Sequence, residues 1–198
     1  GDLGGTWDLF KYPGIRSDSD LFTFGYEFKP WKEKKAIADG RSIKAYVEET
    51  AAENGIKERI RFLTRVVDID WQSDKNYWRV TLKSEESGQH EHIAARWIFN
   101  ASGYYRYDKG YAPHFKGQSQ FNGQIVHPQH WPEDLEYENK RVVVIGSGAT
   151  AVTLVPALAK SASHVTMLQR TPSYVLPVPV DDPIAKHLRA WFSEDTAF

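Results

Sequence analysis

Cysteine is entirely absent from the 198-residue sequence. Its absence excludes disulfide frameworks, thiolate metal sites and dithiol redox chemistry. No apolar run approaches the roughly 20 residues that a membrane-spanning helix needs. The net charge of −1 shows no basic excess of the kind that binds nucleic acid. We therefore expect a globular cytoplasmic protein with no transmembrane segment and no nucleic-acid partner, and the sequence leaves its oligomeric state open.

An initiator methionine is also lacking, because the sequence begins with Gly1-Asp2. At the other end it stops at Phe198, with no helix-ending signal after Trp191-Phe192. We expect both termini to be truncated, so that the chain is an internal piece of a longer protein.

The N-terminal half is rich in aromatic residues and weak in periodicity. Residues 1–41 contain many Gly, Pro and aromatic residues, which predicts an irregular connection. The apolar spacing that follows predicts a helix capped by Ser42 and ended by Asn54-Gly55.

Short β-type runs come next and predict an antiparallel meander. They lie at 60–62, 65–71 and 78–82, with a turn at 72–76. A further strand is predicted over 94–100, before a loop-like, aromatic stretch at 104–138 that we interpret as a connector between domains.

The pattern becomes more regular after residue 140. An apolar strand at 141–145, a helix at 149–160 and a second strand at 164–168 together predict a βαβ unit. The turn between strand and helix is the G-x-G-x-x-A motif Gly146-Ser147-Gly148-Ala149-Thr150-Ala151.

Such a motif between a strand and a helix is typical of dinucleotide binding. Gly146 permits the turn, Gly148 lets the backbone approach a pyrophosphate, and Ala151 keeps helix and strand close. The free N–H groups of the first helical turn would then bind the phosphates. A glycine turn without a ligand is the alternative interpretation.

The residue after the second strand selects the cofactor, because an acidic side chain there binds a ribose 2′-OH and a basic one a 2′-phosphate. This position is Arg170, followed by Thr171, and no Asp or Glu lies between Gly146 and Arg170. The pattern favours NADPH over NADH, with an ordinary surface arginine as the alternative.

Upstream of the βαβ unit, the segment 121–132 matches F-x-G-x-x-x-H-x-x-x-W-P. It resembles the fingerprint of the type I Baeyer–Villiger flavin monooxygenases. The resemblance implies an α/β, Rossmann-like flavoprotein with two dinucleotide-binding domains and the antiparallel meander, using FAD and NADPH. It places His127 and Trp131 on the linkers between the domains.

Other segments support the same family. The family's segment beside the flavin is similar to Gly4-Gly5-Thr6-Trp7 together with residues 12–18. The family's A-T-G stretch is similar to Asn100-Ala101-Ser102-Gly103. The runs 102–108 and 165–170 are most similar to the bacterial subgroup that includes the ethionamide-activating monooxygenase.

The resemblance also implies site residues. Gly4, Gly5, Thr6, Trp7 and Asp18 would border the FAD. Arg16, Ser17 and Asp18 would approach the NADP, and the Val66 backbone would meet the adenine of FAD. From the residues alone, Asp18 could equally cap a turn and Trp7 could simply pack in the core.

Domain limits follow from the same resemblance. It implies a partial FAD-binding domain at 1–118, an interdomain linker at 119–139 and a partial NADP-binding domain at 140–198. His127 and His130 lack further ligands with suitable spacing, so no metal site is expected. For His127 a conformational role and a hydrogen-bonded structural role both remain open.

The implied enzyme is an oxidoreductase in which NADPH reduces FAD and one oxygen atom from O2 enters the substrate. A ketone would undergo Baeyer–Villiger insertion, and a sulfide or thioamide would be oxidised. The alternatives are an N- or S-oxygenating flavin monooxygenase and a non-catalytic NADP-binding module. We assign no residue of this piece to bond making and expect these 198 residues alone to be inactive.

Overall fold

The structure, a computed structural model, describes residues 1–177 and 179–192. Residues 178 and 193–198, which fall in the predicted NADP-binding domain, lie outside the described residues. The helices are α1 (Thr6–Leu9), α2 (Leu21–Phe24), α3 (Gly40–Glu53), α4 (Ala149–Leu158) and α5 (Pro183–Trp191). The strands are β1 (Thr64–Gln72), β2 (Tyr77–Ser84), β3 (His90–Ala95), β4 (Arg141–Ile145) and β5 (His164–Leu168).

The predicted helix after residue 41 is present, but its cap is not Ser42. Asp39 caps α3, because its carboxylate accepts hydrogen bonds from the Ser42 N–H at 3.0 Å and the Ser42 hydroxyl at 2.9 Å. An acceptor placed before the helix satisfies the free N–H groups of the first turn. Gly55, with φ 59°, follows the helix end as predicted.

The first hydrophobic core forms where α3 meets the N-terminal segment. Its buried members are Leu21, Trp31, Ala38, Ile43 and Tyr46. The irregular stretch 1–41 is ordered by this packing and by backbone hydrogen bonds of its own, such as those from the Ser17 N–H to the Ala38 carbonyl and from the Leu21 N–H to the Ala36 carbonyl, both 2.8 Å.

The meander is present as β1-β2-β3, with both pairs antiparallel. Two strand predictions were wrong. The run 60–62 is not a strand, because Leu63 has φ 50° and interrupts the extended chain before β1. The strand predicted at 94–100 is instead β3, His90–Ala95, which pairs with β2 after the turn at Gly88.

The βαβ unit is confirmed by parallel pairing of β4 with β5, in register from Arg141↔His164 to Ile145↔Leu168. Leu154 and Leu158 of α4 pack against Val142, Val144 and Val165, on one face of this sheet. The helix ends at Leu158, two residues before the predicted end, and both strands have their predicted limits.

The second core extends beyond the βαβ unit. Phe10 and Tyr12 are buried together with Leu154 and Leu158. Next to them, Gly14 has φ 82°, and a Cβ there would overlap the Thr153 carbonyl oxygen. The segment that follows α1 therefore packs closely against α4.

Helix α5 had no counterpart in the sequence predictions. Asp182 caps it by accepting hydrogen bonds from the N–H groups of Ile184 at 2.8 Å and Ala185 at 3.1 Å, and Pro183 occupies its first position. No helix within the described residues is long and apolar enough to cross a membrane.

Leu158 gives a direct test of the second core, because it is only 1% exposed and packs with Leu154, Phe10 and Tyr12. Replacing it with Ala removes buried apolar contacts and leaves a cavity, so Leu158→Ala should lower the free energy of unfolding by about 2–5 kcal/mol. Denaturant unfolding monitored by circular dichroism measures the change.

Leu176 is the matched control, because it is 81% exposed. Leu176→Ala should change the free energy of unfolding by less than about 0.5 kcal/mol. Equal losses in the two variants would contradict the packing described for α4.

Candidate functional site: the glycine turn and the segments around it

The glycine turn lies at the carboxyl end of the parallel strands. Gly146 follows β4 with φ 127°, and its N–H donates to the Leu168 carbonyl at 2.8 Å. Gly148 then caps α4 with φ −77° and ψ −176°, which is ordinary extended backbone. Ligands of open α/β sheets bind at this edge.

The two glycines differ in what requires them. The backbone of Gly146 needs glycine, because φ 127° is poorly accessible to side-chain-bearing residues. Gly148 has no such need, and a Cβ built there meets no atom of the described chain within 4 Å. The glycine at 148 keeps open a space that nothing in the described chain fills.

The first turn of α4 faces this space with unused donors. The first helical hydrogen bond runs from the Val152 N–H to the Gly148 carbonyl at 3.0 Å. In the described structure no side chain caps the helix, so the N–H groups of Ala149, Thr150 and Ala151 are available. Unpaired N–H groups with the positive end of the helix dipole form a site suited to an anion.

The chain after β5 is tied to the same turn. The Ser147 hydroxyl donates to the Thr171 carbonyl at 3.2 Å and accepts from the Ser173 hydroxyl at 2.9 Å. Arg170 is exposed beside them, and no carboxylate among the described residues pairs with it. Arg170 directly precedes Thr171, the residue whose carbonyl accepts the hydrogen bond from Ser147.

The predicted flavin-side turn has positive φ at two glycines, which adopt this conformation without a steric cost. Gly4 has φ 103° and Gly5 has φ 53°, which places Thr6 and Trp7 at the start of α1. Trp7 is half-buried and packs against the first core, which agrees with the interpretation that it is a core residue.

A partly buried ion pair holds this turn against α3. The Lys44 ammonium donates to Asp8 at 2.7 Å. Burial raises the pKa of Asp8, but the hydrogen bonds from Lys44 and from the Asp2 N–H outweigh it and lower that pKa below its ordinary value.

The Arg16–Asp18 segment presents its two charged side chains to solvent, because Arg16 and Asp18 are exposed. Between them Ser17 is buried, with its hydroxyl donating to the Ser19 carbonyl at 2.5 Å. A hydrogen bond with Tyr104, burial, and the nearby Tyr12 and Asp18 together raise the pKa of Tyr105 to about 12.

The fingerprint segment is organised by a residue at one of its variable positions. Gln129 is buried, and its side-chain N–H donates to the Arg106 carbonyl at 2.6 Å, while its backbone N–H donates to His127 Nδ1 at 3.2 Å. Trp131 packs on the second core, 6.1 Å from the Tyr137 ring. No sequence pattern marks Gln129, which is distinguished only by its burial and its hydrogen bonds.

Val66 lies in β1, at the edge of the sheet formed by the described strands, next to a β-bulge between Val66 and Asp68. It is exposed, and its proposed contact with an adenine stays a prediction. Within the described residues, no cluster of His, Asp or Glu could hold a metal ion.

A cleft with a volume of about 1910 Å³ lies elsewhere. Trp7, Arg16 and Trp131 line it, together with the later turns of α4 at Thr153 and Pro156. No residue of the glycine turn contributes to it. The structure thus separates the glycine turn from this cleft, with α4 adjoining both.

A family model described as flavin-binding monooxygenase-like matches residues 28–187. The chain belongs to this family. It is 53% identical over 197 residues to a protein of Mycolicibacterium smegmatis named FAD-containing monooxygenase EthA, covering 99% of this chain and 40% of that protein.

Solved structures agree. Oxidized steroid monooxygenase bound to NADP is 31% identical, with a TM-score of 0.79 over 96% of this chain and 37% of that one. OTEMO in complex with FAD and NADP is 30% identical, with a TM-score of 0.71 over 87% of this chain and 33% of that one. These structures confirm the Baeyer–Villiger-type α/β fold. The chain spans about 40% of the length of the curated relatives it matches.

Alanine at the two glycines should affect stability to different extents. Gly146→Ala should lower the free energy of unfolding by about 1–3 kcal/mol, because φ 127° is costly for alanine. Gly148→Ala should change it by less than about 0.5 kcal/mol, because its backbone is ordinary and its surroundings are open. Denaturant titrations of both variants measure this, and a loss at Gly148 equal to that at Gly146 would refute the assignment of an open cradle.

Proposed function

We propose that the full-length protein containing this chain is an NADPH- and FAD-dependent monooxygenase that inserts one oxygen atom from O2 into a ketone or oxidises a sulfide or thioamide. The observation that supports it most strongly is Gly148, a glycine that neither its φ nor its described neighbours require. The family membership and the Baeyer–Villiger fingerprint at 121–132 support the oxygenation chemistry.

The residues of the turn fit the pyrophosphate of NADPH. In the proposal, the space beside Gly146 and Gly148 admits the phosphates, and the N–H groups of Ala149, Thr150 and Ala151 bind them. Ser147 fixes the turn to the Thr171 backbone through its 3.2 Å hydrogen bond. The exposed Arg170 then meets the 2′-phosphate, which only NADPH has.

The flavin-side residues are also accessible to a ligand. Gly5, Asp18 and Val66 are exposed, so a backbone or carboxylate group at each can contact the FAD. Gly4, Thr6 and Trp7 would complete that border, while Arg16 and Ser17 would lie between the two cofactors. This assignment rests on the sequence motifs and on FAD in the names of the relatives.

NADPH supplies a hydride when bound, and FAD supplies the group that accepts it and then reacts with O2. The chain's own residues bind and orient. The α4 N-terminus holds the phosphates, the Asp8–Lys44 pair fixes the Gly4–Trp7 turn, and His127 with Trp131 sets how the two nucleotide-binding units are arranged. A cytoplasmic location belongs to the same proposal.

The family model also covers flavin monooxygenases in general, so N- or S-oxygenation is the second candidate. Oxygen consumption by the full-length protein with NADPH distinguishes the two, because a Baeyer–Villiger enzyme responds to an added ketone. A non-catalytic NADP-binding module would consume no oxygen with a ketone, a thioether or an amine.

Arg170 provides the test of cofactor choice. Arg170→Ala in the full-length protein should weaken NADPH binding by about tenfold to a hundredfold, the loss expected for hydrogen bonds to a charged group. NADH binding should hardly change, because NADH has no 2′-phosphate. Steady-state KM values for both cofactors, with oxygen consumption as the readout, measure the difference.

Arg141→Ala is the matched control, because Arg141 is also exposed but lies at the opposite end of β4. It should leave both KM values unchanged. Equal weakening of NADPH and NADH in Arg170→Ala would reject the phosphate contact.

A further inference from the structure

Gly110 lies directly against the imidazole ring of His127. A Cβ built on Gly110 would fall inside van der Waals contact of the ring atoms Cε1, Nδ1 and Nε2. Gly110 does not have a positive φ, so its backbone conformation is open to any residue type. The ring, rather than the backbone, therefore requires glycine at this position.

Two contacts thus fix the imidazole. The Gln129 N–H donates to Nδ1 at 3.2 Å, and Gly110 lies so close to the ring that a side chain at residue 110 would overlap it. A methyl group at residue 110 would have to displace the ring or shift the backbone. Either change would disturb the hydrogen bond to Gln129.

The segment that contains Gly110 also reaches the predicted flavin side. The Asp108 carboxylate pairs with Arg65 of β1 at 3.0 Å, one residue from Val66. The Tyr107 hydroxyl would stand 3.1 Å from a Cβ on Gly5. The same segment therefore contacts the Gly5 turn and the meander, and through Gly110 it also contacts His127.

We propose that Gly110 is a positioning residue for His127, and that the 104–111 segment links the flavin-side turn to the fingerprint histidine through this contact. The proposal rests on the proposed function, because it takes the arrangement of the two nucleotide units to be what His127 controls. Gly110 itself touches neither substrate nor cofactor in this account.

A double-mutant cycle tests the contact in the full-length holoenzyme. Gly110→Ala, His127→Ala and the double variant are compared with the unaltered protein. The readouts are melting temperature and the limiting rate of flavin reduction by NADPH, followed anaerobically by stopped-flow absorbance. Lys109→Ala is the control, because Lys109 is exposed next to Gly110.

Gly110→Ala alone should slow the limiting rate of reduction by about tenfold to a hundredfold, the size of effect expected from misplacing a group by roughly 1 Å. It should also lower the melting temperature. In the His127→Ala background both losses should largely disappear, because the ring that clashes with the methyl group is gone. Lys109→Ala should match the unaltered protein in both readouts.

The proposal is overturned if Gly110→Ala leaves the reduction rate unchanged, or if its losses are as large without His127 as with it. A third result would also overturn the proposal. In it, Gly110→Ala lowers the melting temperature only when His127 is present, and the reduction rate stays unchanged. The contact would then affect packing but would not position His127. Failure of the unaltered holoenzyme to be reduced by NADPH would instead reject the proposed function, and the melting-temperature cycle would still report the contact.

Discussion

Helix α4 joins the two features on which this account depends. Its apolar side, with Leu154 and Leu158, is buried against β4, β5 and the Phe10–Tyr12 segment. That burial fixes the direction of the helix, and so it fixes where the free N–H groups of its first turn point. Because the same helix packs on the chain that follows α1, it contacts both the glycine turn and the segment predicted to border the flavin.

Local patterns were enough to predict the βαβ unit. The apolar run 141–145, the glycine turn and the run 164–168 each have a local signature, and the strand limits agree with the structure. The meander was predicted in type but not in all its limits. Leu63 interrupts one expected strand through its backbone, and β3 begins in the polar sequence His90-Glu91-His92, which an apolar pattern does not detect.

Features that depend on distant contacts were not predictable. Gln129 occupies a variable position of the fingerprint, and only its buried hydrogen bond to the Arg106 carbonyl reveals its importance. Gly110 resembles any other glycine of a loop until the His127 ring is seen against it. Asp39 and Ser42 are both suitable capping residues by type, and only the structure shows that Asp39 caps α3.

In the proposed function, the space at Gly148 is kept open for the pyrophosphate of NADP. Equilibrium titration of full-length Gly148→Ala holoenzyme with NADP+ tests it most directly, with melting temperature and FAD content measured on the same samples. We expect Kd to rise by at least about tenfold, equivalent to roughly 1.4 kcal/mol, while stability and FAD content stay unchanged. An unchanged Kd, or a loss of FAD together with NADP+, would contradict it.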